Sequence, residues 1–356
     1  MMSEENNPLA ENLEGLIINQ KWKVIKKFEK QEDDTGGMFS VGYEVVDKNG
    51  TEAFLKAFNF KKVFQNKEKM MEVLNSFTKQ YNYEKEILEK CFNKRLKHIV
   101  NILDAGIIYK DGYFVPVPYL IFEMADKSLR SKINEINKKI DILWNLKCIH
   151  QVAVALQEIH NIDIAHLDLK PSNVLIFEEK MSKLTDFGRS SLKVSQDRPF
   201  YDMNGTIEGD MTYSPIERLY GNNDGDWYEI KVGTDFYLLG SFIFQMFTGF
   251  GMTVAITNNL DPQFNWRNWR GNYNEVYSYI LESYTKVIEK FEEDLKKQVD
   301  KKTTQEIIKI VDEMCNPDKS KRGDPELIRR KQIKKYELHR YITRIDRIIK
   351  RLEIVL

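Results

Sequence analysis

The stretch His166-Leu167-Asp168-Leu169-Lys170-Pro171-Ser172-Asn173 gathers a carboxylate, an ammonium and a carboxamide into eight residues, and Asp186-Phe187-Gly188 adds a second carboxylate shortly after. A carboxylate can accept or orient a hydroxyl proton, and a lysine can neutralise charge that grows on a transferred group. The oxygens of Asn173 and Asp186 are of the hard kind that divalent cations prefer. Phosphoryl transfer calls for this set of parts. Lys56 belongs with it, because in the apolar run Ala53-Phe54-Leu55-Lys56-Ala57-Phe58 an ammonium is costly unless paired. A carboxylate elsewhere in the chain must pair with it.

These side chains need a scaffold. Trp22, Val24 and Ile25, then Tyr43 to Val46, then Ala53 to Phe58 read as strands, with Asn49-Gly50 as a hairpin turn. Residues 61–92 read as helical, with Val73, Leu74, Phe77, Tyr81, Leu88 and Phe92 near helical spacing. Ile99 to Gly106 and Tyr113 to Met124 read as further strands, and the remainder is mostly helical, beginning with the apolar helix Trp144 to Ile159. Strands first and helices afterwards is the α+β order, with a junction near residue 125. The expected division is a tail over residues 1–20, a sheet-bearing unit over 21–125, a helical unit over 126–325 and a basic terminal helix over 326–356.

Two segments raise the question of partners. Phe236 to Ile256 carries no charged side chain for 21 residues, long enough to cross a bilayer. Gly240, Gln245 and Thr248-Gly249-Phe250-Gly251 interrupt it, so a buried core helix is expected instead. From Leu338 the residues Leu338, Ile342, Ile345, Ile349, Leu352 and Leu356 form a heptad seam. Packing on the helical unit is the preferred reading of this basic helix, with ten Lys/Arg against three acidic residues from Glu326 to Arg351. A solvated face, a nucleic-acid or lipid patch, or a homodimer contact through the seam are the alternatives. Lys+Arg and Asp+Glu both number 54, so no global field recruits nucleic acid, and none is expected as a partner. The three cysteines, Cys91, Cys148 and Cys315, are far apart and form no zinc or disulfide pattern, and no basic-then-apolar leader is visible. A cytoplasmic location is the expectation.

On these motifs the chain resembles the eukaryotic-type protein kinases, from Trp22 to Arg322. The resemblance implies a bilobal fold, a protein substrate, and ATP with Mg2+, or Mn2+ in its place. It implies that Asp168 is the catalytic carboxylate and that Lys170 meets the transferred phosphate, as in the serine/threonine branch. Asn173 and Asp186 would hold the metal, while Lys56 would face the α- and β-phosphates, paired with the family's helix glutamate. Glu84 matches that position with Glu86 as its competitor, and is preferred since it stands four residues before Leu88 on one helix face. Gly36, Gly37 and Ser40 would cover the phosphates, Phe122 would back the adenine pocket, and the backbone near Glu123 and Ala125 would meet adenine. Glu217 and Arg322 would form a buried ion pair, and Asp235 would start the central buried helix and bond the catalytic-loop backbone.

The departures from the family pattern are specific. The family's G-x-G-x-x-G reads Thr35-Gly36-Gly37-Met38-Phe39-Ser40, with only the middle glycine in place. Gly42 and Phe54 stand where the family has a valine and an alanine over adenine, and Phe54 is expected to fill the space that Gly42 leaves. Leu167 replaces an arginine that reads activation-loop phosphate, which implies switching without that contact. Asp210 takes the usual threonine position of the peptide-binding segment, and Tyr213-Ser214-Pro215-Ile216-Glu217 offsets the proline. The reading is γ-phosphate transfer to Ser or Thr of proteins, the chain itself included. A pseudokinase that binds nucleotide as a scaffold is the first alternative, and a small-molecule kinase the second.

Overall fold

The computed structural model describes residues 8–29, 40–59, 70–113, 115–135, 141–194, 210–332 and 334–355. The small lobe is built from β1 (Ile17–Ile18), β2 (Trp22–Lys27), β3 (Ser40–Val46), β4 (Glu52–Phe58), α1 (Met70–Asn93), β5 (Ile102–Ile108) and β6 (Val117–Glu123). Its strands form one antiparallel sheet in the order β1-β2-β3-β4-β6-β5. Alternation in the sequence explains which face is which. Val41, Tyr43 and Val45 on β3 and Ala53, Leu55 and Ala57 on β4 are buried on one side, which leaves Gly42, Phe54 and Lys56 on the other, toward the cleft. Asp47 closes the β3–β4 hairpin by accepting the amides of Asn49 and Thr51 at 2.8 and 2.9 Å.

The division at residue 21 has to be corrected. Leu9, Ala10, Leu13 and Ile18 are buried in the same cluster as Trp22, Val24, Tyr43 and Val45, and the Tyr43 hydroxyl donates to the Ala10 carbonyl at 2.8 Å. Among the described residues no helix covers the sheet's far face, and residues 8–18 supply the apolar cover that face needs. A tail reading misses this because a short apolar cluster in a polar stretch has no period to reveal its partner.

The chain crosses to the large lobe through β7 (Lys127–Ser128) and α2 (Leu129–Glu135), then α3 (Ile142–His160), β8 (Ile164–Ala165), β9 (Val174–Phe177), β10 (Met181–Leu184) and β11 (Ser191–Leu192). Helices follow: α4 (Ile216–Leu219), α5 (Gly233–Thr248), α6 (Met252–Asn259), α7 (Tyr273–Leu295), α8 (Lys301–Cys315), α9 (Pro325–Arg329) and α10 (His339–Val355). The charge-free segment is two helices. α5 is buried almost all round, Gly249 ends it in the left-handed region at φ 87°, and α6 leaves at a 76° bend. No single helix among the described residues is long and apolar enough to cross a membrane.

The terminal seam turns inward. Leu338, Tyr341, Ile345, Ile348 and Ile349 are buried in the main core, and α10 lies against α3 and α8. Its cations are paired there as well: Arg344 meets Glu313 at 2.7 Å and Arg351 meets Glu306 at 2.6 Å. The apolar face available for a dimer contact is therefore covered by the same chain.

Candidate active site

The floor of the cleft is a turn held from beneath. Asp235, fully buried in the first turn of α5, accepts the backbone amides of His166 and Leu167, each at 2.7 Å, and meets His160 Nε2 at 2.8 Å. Those bonds support Leu167 at φ 66°, a conformation that costs a leucine about 1–3 kcal/mol. Contacts on both ring nitrogens hold His166 in place. Its Nδ1 faces the Asp168 amide at 3.3 Å, its Nε2 faces the Thr185 carbonyl at 3.0 Å, and its ring lies edge-on against Phe187. A neutral ring protonated on Nε2 satisfies both contacts.

The turn delivers Asp168, Lys170 and Asn173 to one place. Lys170 Nζ lies 3.1 Å from Asp168 Oδ2, and the Asn173 amide donates to the Asp168 carbonyl at 2.8 Å and to Oδ2 at 3.0 Å. Asp168 is only 5% exposed, and burial raises its pKa against the opposing pull of Lys170. Asp210 closes the far side: its Oδ1 accepts the Thr212 amide and hydroxyl, and its Oδ2 stands 3.7 Å from Lys170. Burial favours the neutral acid at Asp210, but the Thr212 bonds and Lys170 outweigh it and lower its pKa.

Across the cleft, Lys56 Nζ reaches Glu84 at 2.8 Å and Asp186 at 3.2 Å, which ties β4, α1 and the Asp186 loop together. Burial works against the ammonium, yet the two carboxylates raise its pKa overall, and Lys56 lowers that of Asp186. Glu86, the competitor, is exposed. The donor set near Asp186 suits a hard divalent ion. With its amide nitrogen committed to Asp168, Asn173 offers its oxygen, and Asp186 offers a carboxylate. Among the described residues no three His, Cys, Asp or Glu side chains gather to hold a metal.

The roof departs from the family pattern without opening a gap. A Cβ built on Gly42 would stand 2.8 Å from the Phe54 ring, so the ring occupies the missing side chain's space, with Phe28 packed against it at 5.6 Å. Ser40 begins β3 opposite Phe58, while Gly36 and Gly37 lie outside the described residues. At the back, Phe122 is buried between Phe54 and Ile102 on the neighbouring strands. Glu123 ends β6, accepting the Asn101 amide at 2.8 Å and Lys183 Nζ at 2.6 Å, and half-buried Ala125 follows in the crossover. Glu217 and Arg322 form a bidentate pair at 2.6 and 2.8 Å, each 2% exposed.

Residues 35–333 match the family model for the Protein kinase domain. The chain belongs to that family. Protein kinases use ATP and a divalent metal, which accords with the oxygen donors and the lysine described above. Relatives include the Serine/threonine-protein kinase SBK1 of Danio rerio, 27% identical over 67% of this chain and 54% of that protein. The Ribosomal protein S6 kinase alpha-6 of Danio rerio is 37% identical over 28% of this chain and 12% of its own length. A probable serine/threonine-protein kinase of Clostridium acetobutylicum is 32% identical over 43% and 21%. The chain thus spans about half the length of these relatives, or less.

In this kinase site, sequence reasoning misses His160, whose bond to Asp235 is announced by no spacing, and Tyr83, whose hydroxyl accepts the Leu192 amide at 2.8 Å. It also misses Trp227, which donates to Ser191 at 2.9 Å. Each joins segments far apart in the chain, and only the fold brings them together.

Proposed function

We propose that the chain transfers the γ-phosphate of ATP to serine or threonine hydroxyls of proteins, its own included. The observation that carries this reading is Lys56 bridging Glu84 and Asp186, because it holds both lobes in register around a phosphate-sized cationic point. In this reading Asp168 orients the acceptor hydroxyl and takes its proton as the oxygen bonds to the γ-phosphorus. The bond from that phosphorus to the β,γ-bridging oxygen breaks, and ADP departs. Lys170 meets the charge that grows on the transferred group. Mg2+ held by Asp186 and Asn173 would neutralise phosphate charge. Ser40 and the Phe54 ring cover the nucleotide, and backbone groups of Glu123 and Ala125 face adenine.

One observation favours the pseudokinase reading. Asp210 adds a second carboxylate to Lys170 where the family places a neutral threonine, which draws charge away from phosphate. A single experiment separates the two: radiolabelled ATP with a generic protein acceptor, wild type against Asp168→Asn, followed by phosphoamino-acid analysis. Label on serine or threonine that the variant loses supports transfer. Nucleotide binding without label supports the scaffold.

A further inference from the structure

Glu84 is held by less than its role demands. Its Oε1 bonds Lys56, but its Oε2 is buried and has no hydrogen-bond partner among the described residues, so the carboxylate's position depends on where helix α1 lies. In this family pattern an arginine beside the catalytic aspartate would tie neighbouring segments together through a phosphate. Leu167 is uncharged and 2% exposed, and makes no such link. The described structure supplies a different one.

Tyr83 immediately precedes Glu84 on α1, with its ring packed in the main core. Its hydroxyl takes the Leu192 amide at 2.8 Å. Leu192 lies in β11, which pairs antiparallel with β8 directly before the catalytic turn, Ser191 opposite Ala165 and Leu192 opposite Ile164. The next amide, of Lys193, goes to the Asp163 carbonyl at 3.0 Å. Successive amides of a strand point to opposite sides, so the Leu192 amide faces away from β8 and toward α1. On the large-lobe side Trp227 donates to Ser191 at 2.9 Å. β11 is thereby clamped between α1 and the segment leading into α5, six residues after Asp186, with no charged group in either bond.

We propose that Tyr83 is a positioning residue that locks helix α1 to β11, so that the Lys56–Glu84 pair is set by a hydroxyl-to-backbone bond in place of a phosphate contact. The proposal rests on the kinase reading for its effect on rate, and on the structure alone for the tether itself. Moving α1 far enough to separate Glu84 from Lys56 breaks the Leu192 bond as well.

The test compares wild type and Tyr83→Phe, both treated with phosphatase, for kcat, for the KM of a protein acceptor and for hydrogen exchange at the Leu192 amide. Phenylalanine keeps the ring in the core, so the fold survives. Treated wild type is expected to keep its activity. The variant is expected to lose about fivefold in kcat, the factor one net hydrogen bond supplies, with the acceptor KM unchanged and Leu192 exchanging faster. Three results overturn the proposal: equal kcat in the two proteins, unchanged exchange at Leu192, or loss of wild-type activity on phosphatase treatment. If wild type transfers no phosphate at all, the kinase reading falls, and the exchange comparison still decides whether Tyr83 holds β11.

Discussion

The floor of the cleft is fixed by charges and hydrogen bonds: Asp235 under His166 and Leu167, Lys170 against Asp168, Asn173 bonded back to Asp168. The roof is fixed by shape, with the Phe54 ring standing where a side chain at position 42 would be. The two tolerate change differently. A hydrogen bond or ion pair needs a particular atom within a few tenths of an ångström, so each floor residue is irreplaceable by itself. A packed volume needs only to be filled, so two roof residues can change together.

The largest effect expected of that contrast is on the floor. Asp168→Asn keeps a similar shape and removes the proposed proton acceptor, and kcat should fall by about 10²–10⁴-fold while nucleotide binding persists. A loss of binding in parallel with rate would break the division between floor and roof. Next in size is the buried Glu217–Arg322 pair. Arg322→Leu strands the Glu217 carboxylate in a site 2% exposed, which should cost about 3–5 kcal/mol of stability in urea unfolding. A change below about 1 kcal/mol, the scale of an exposed pair, would mean the site rehydrates when the partner leaves.

How much of this is legible in the sequence follows the same line. Floor residues announce themselves because chemistry fixes both type and spacing, so Asp168, Lys170, Asn173 and Asp186 stand out in the chain by themselves. Lys56 demands a partner because an ammonium in an apolar strand is costly, and the family resemblance, rather than burial, names Glu84, 28 positions away. Residues 8–18 read as a tail instead, since apolar cover for a sheet face leaves no periodic mark. Tyr83 stays hidden for another reason: a tyrosine in a helix pattern reads as core, and nothing local shows where its hydroxyl points. The strand expected over Ile99 to Gly106 lies at Ile102–Ile108, because Ile99 bridges to Leu184 and the Val100 amide donates to the Leu184 carbonyl at 3.0 Å instead of joining the sheet.

The roof supplies a smaller and more pointed prediction. Gly42→Val should push against the Phe54 ring and cost about 1–3 kcal/mol, seen as a raised KM for ATP and a lower unfolding midpoint. Phe54→Ala should leave a void of its own. The double variant should recover much of both losses, with a coupling of about 0.5–3 kcal/mol in a double-mutant cycle. Simple additivity of the two changes would show that Phe54 and Gly42 are independent, and the shape-based account of the roof would fail.

The smallest expected effect concerns the segment after Asp186. Alanine at Ser190, Ser191, Ser195 and Thr206 together is expected to leave most activity intact, because Leu167 has no charge with which to read a phosphate there. Ser195 and Thr206 lie outside the described residues, whereas Ser190 and Ser191 are buried. Ser191 also accepts the Trp227 bond, so the variant should lose about 0.5–1.5 kcal/mol of stability but only a small part of its rate, because the Tyr83 bond still ties α1 to β11. Unfolding midpoints and initial rates measured on the same preparation separate the two quantities. A collapse of rate with stability preserved would place a phosphate switch back on this segment, and the floor would then depend on a charge that its own residues do not carry.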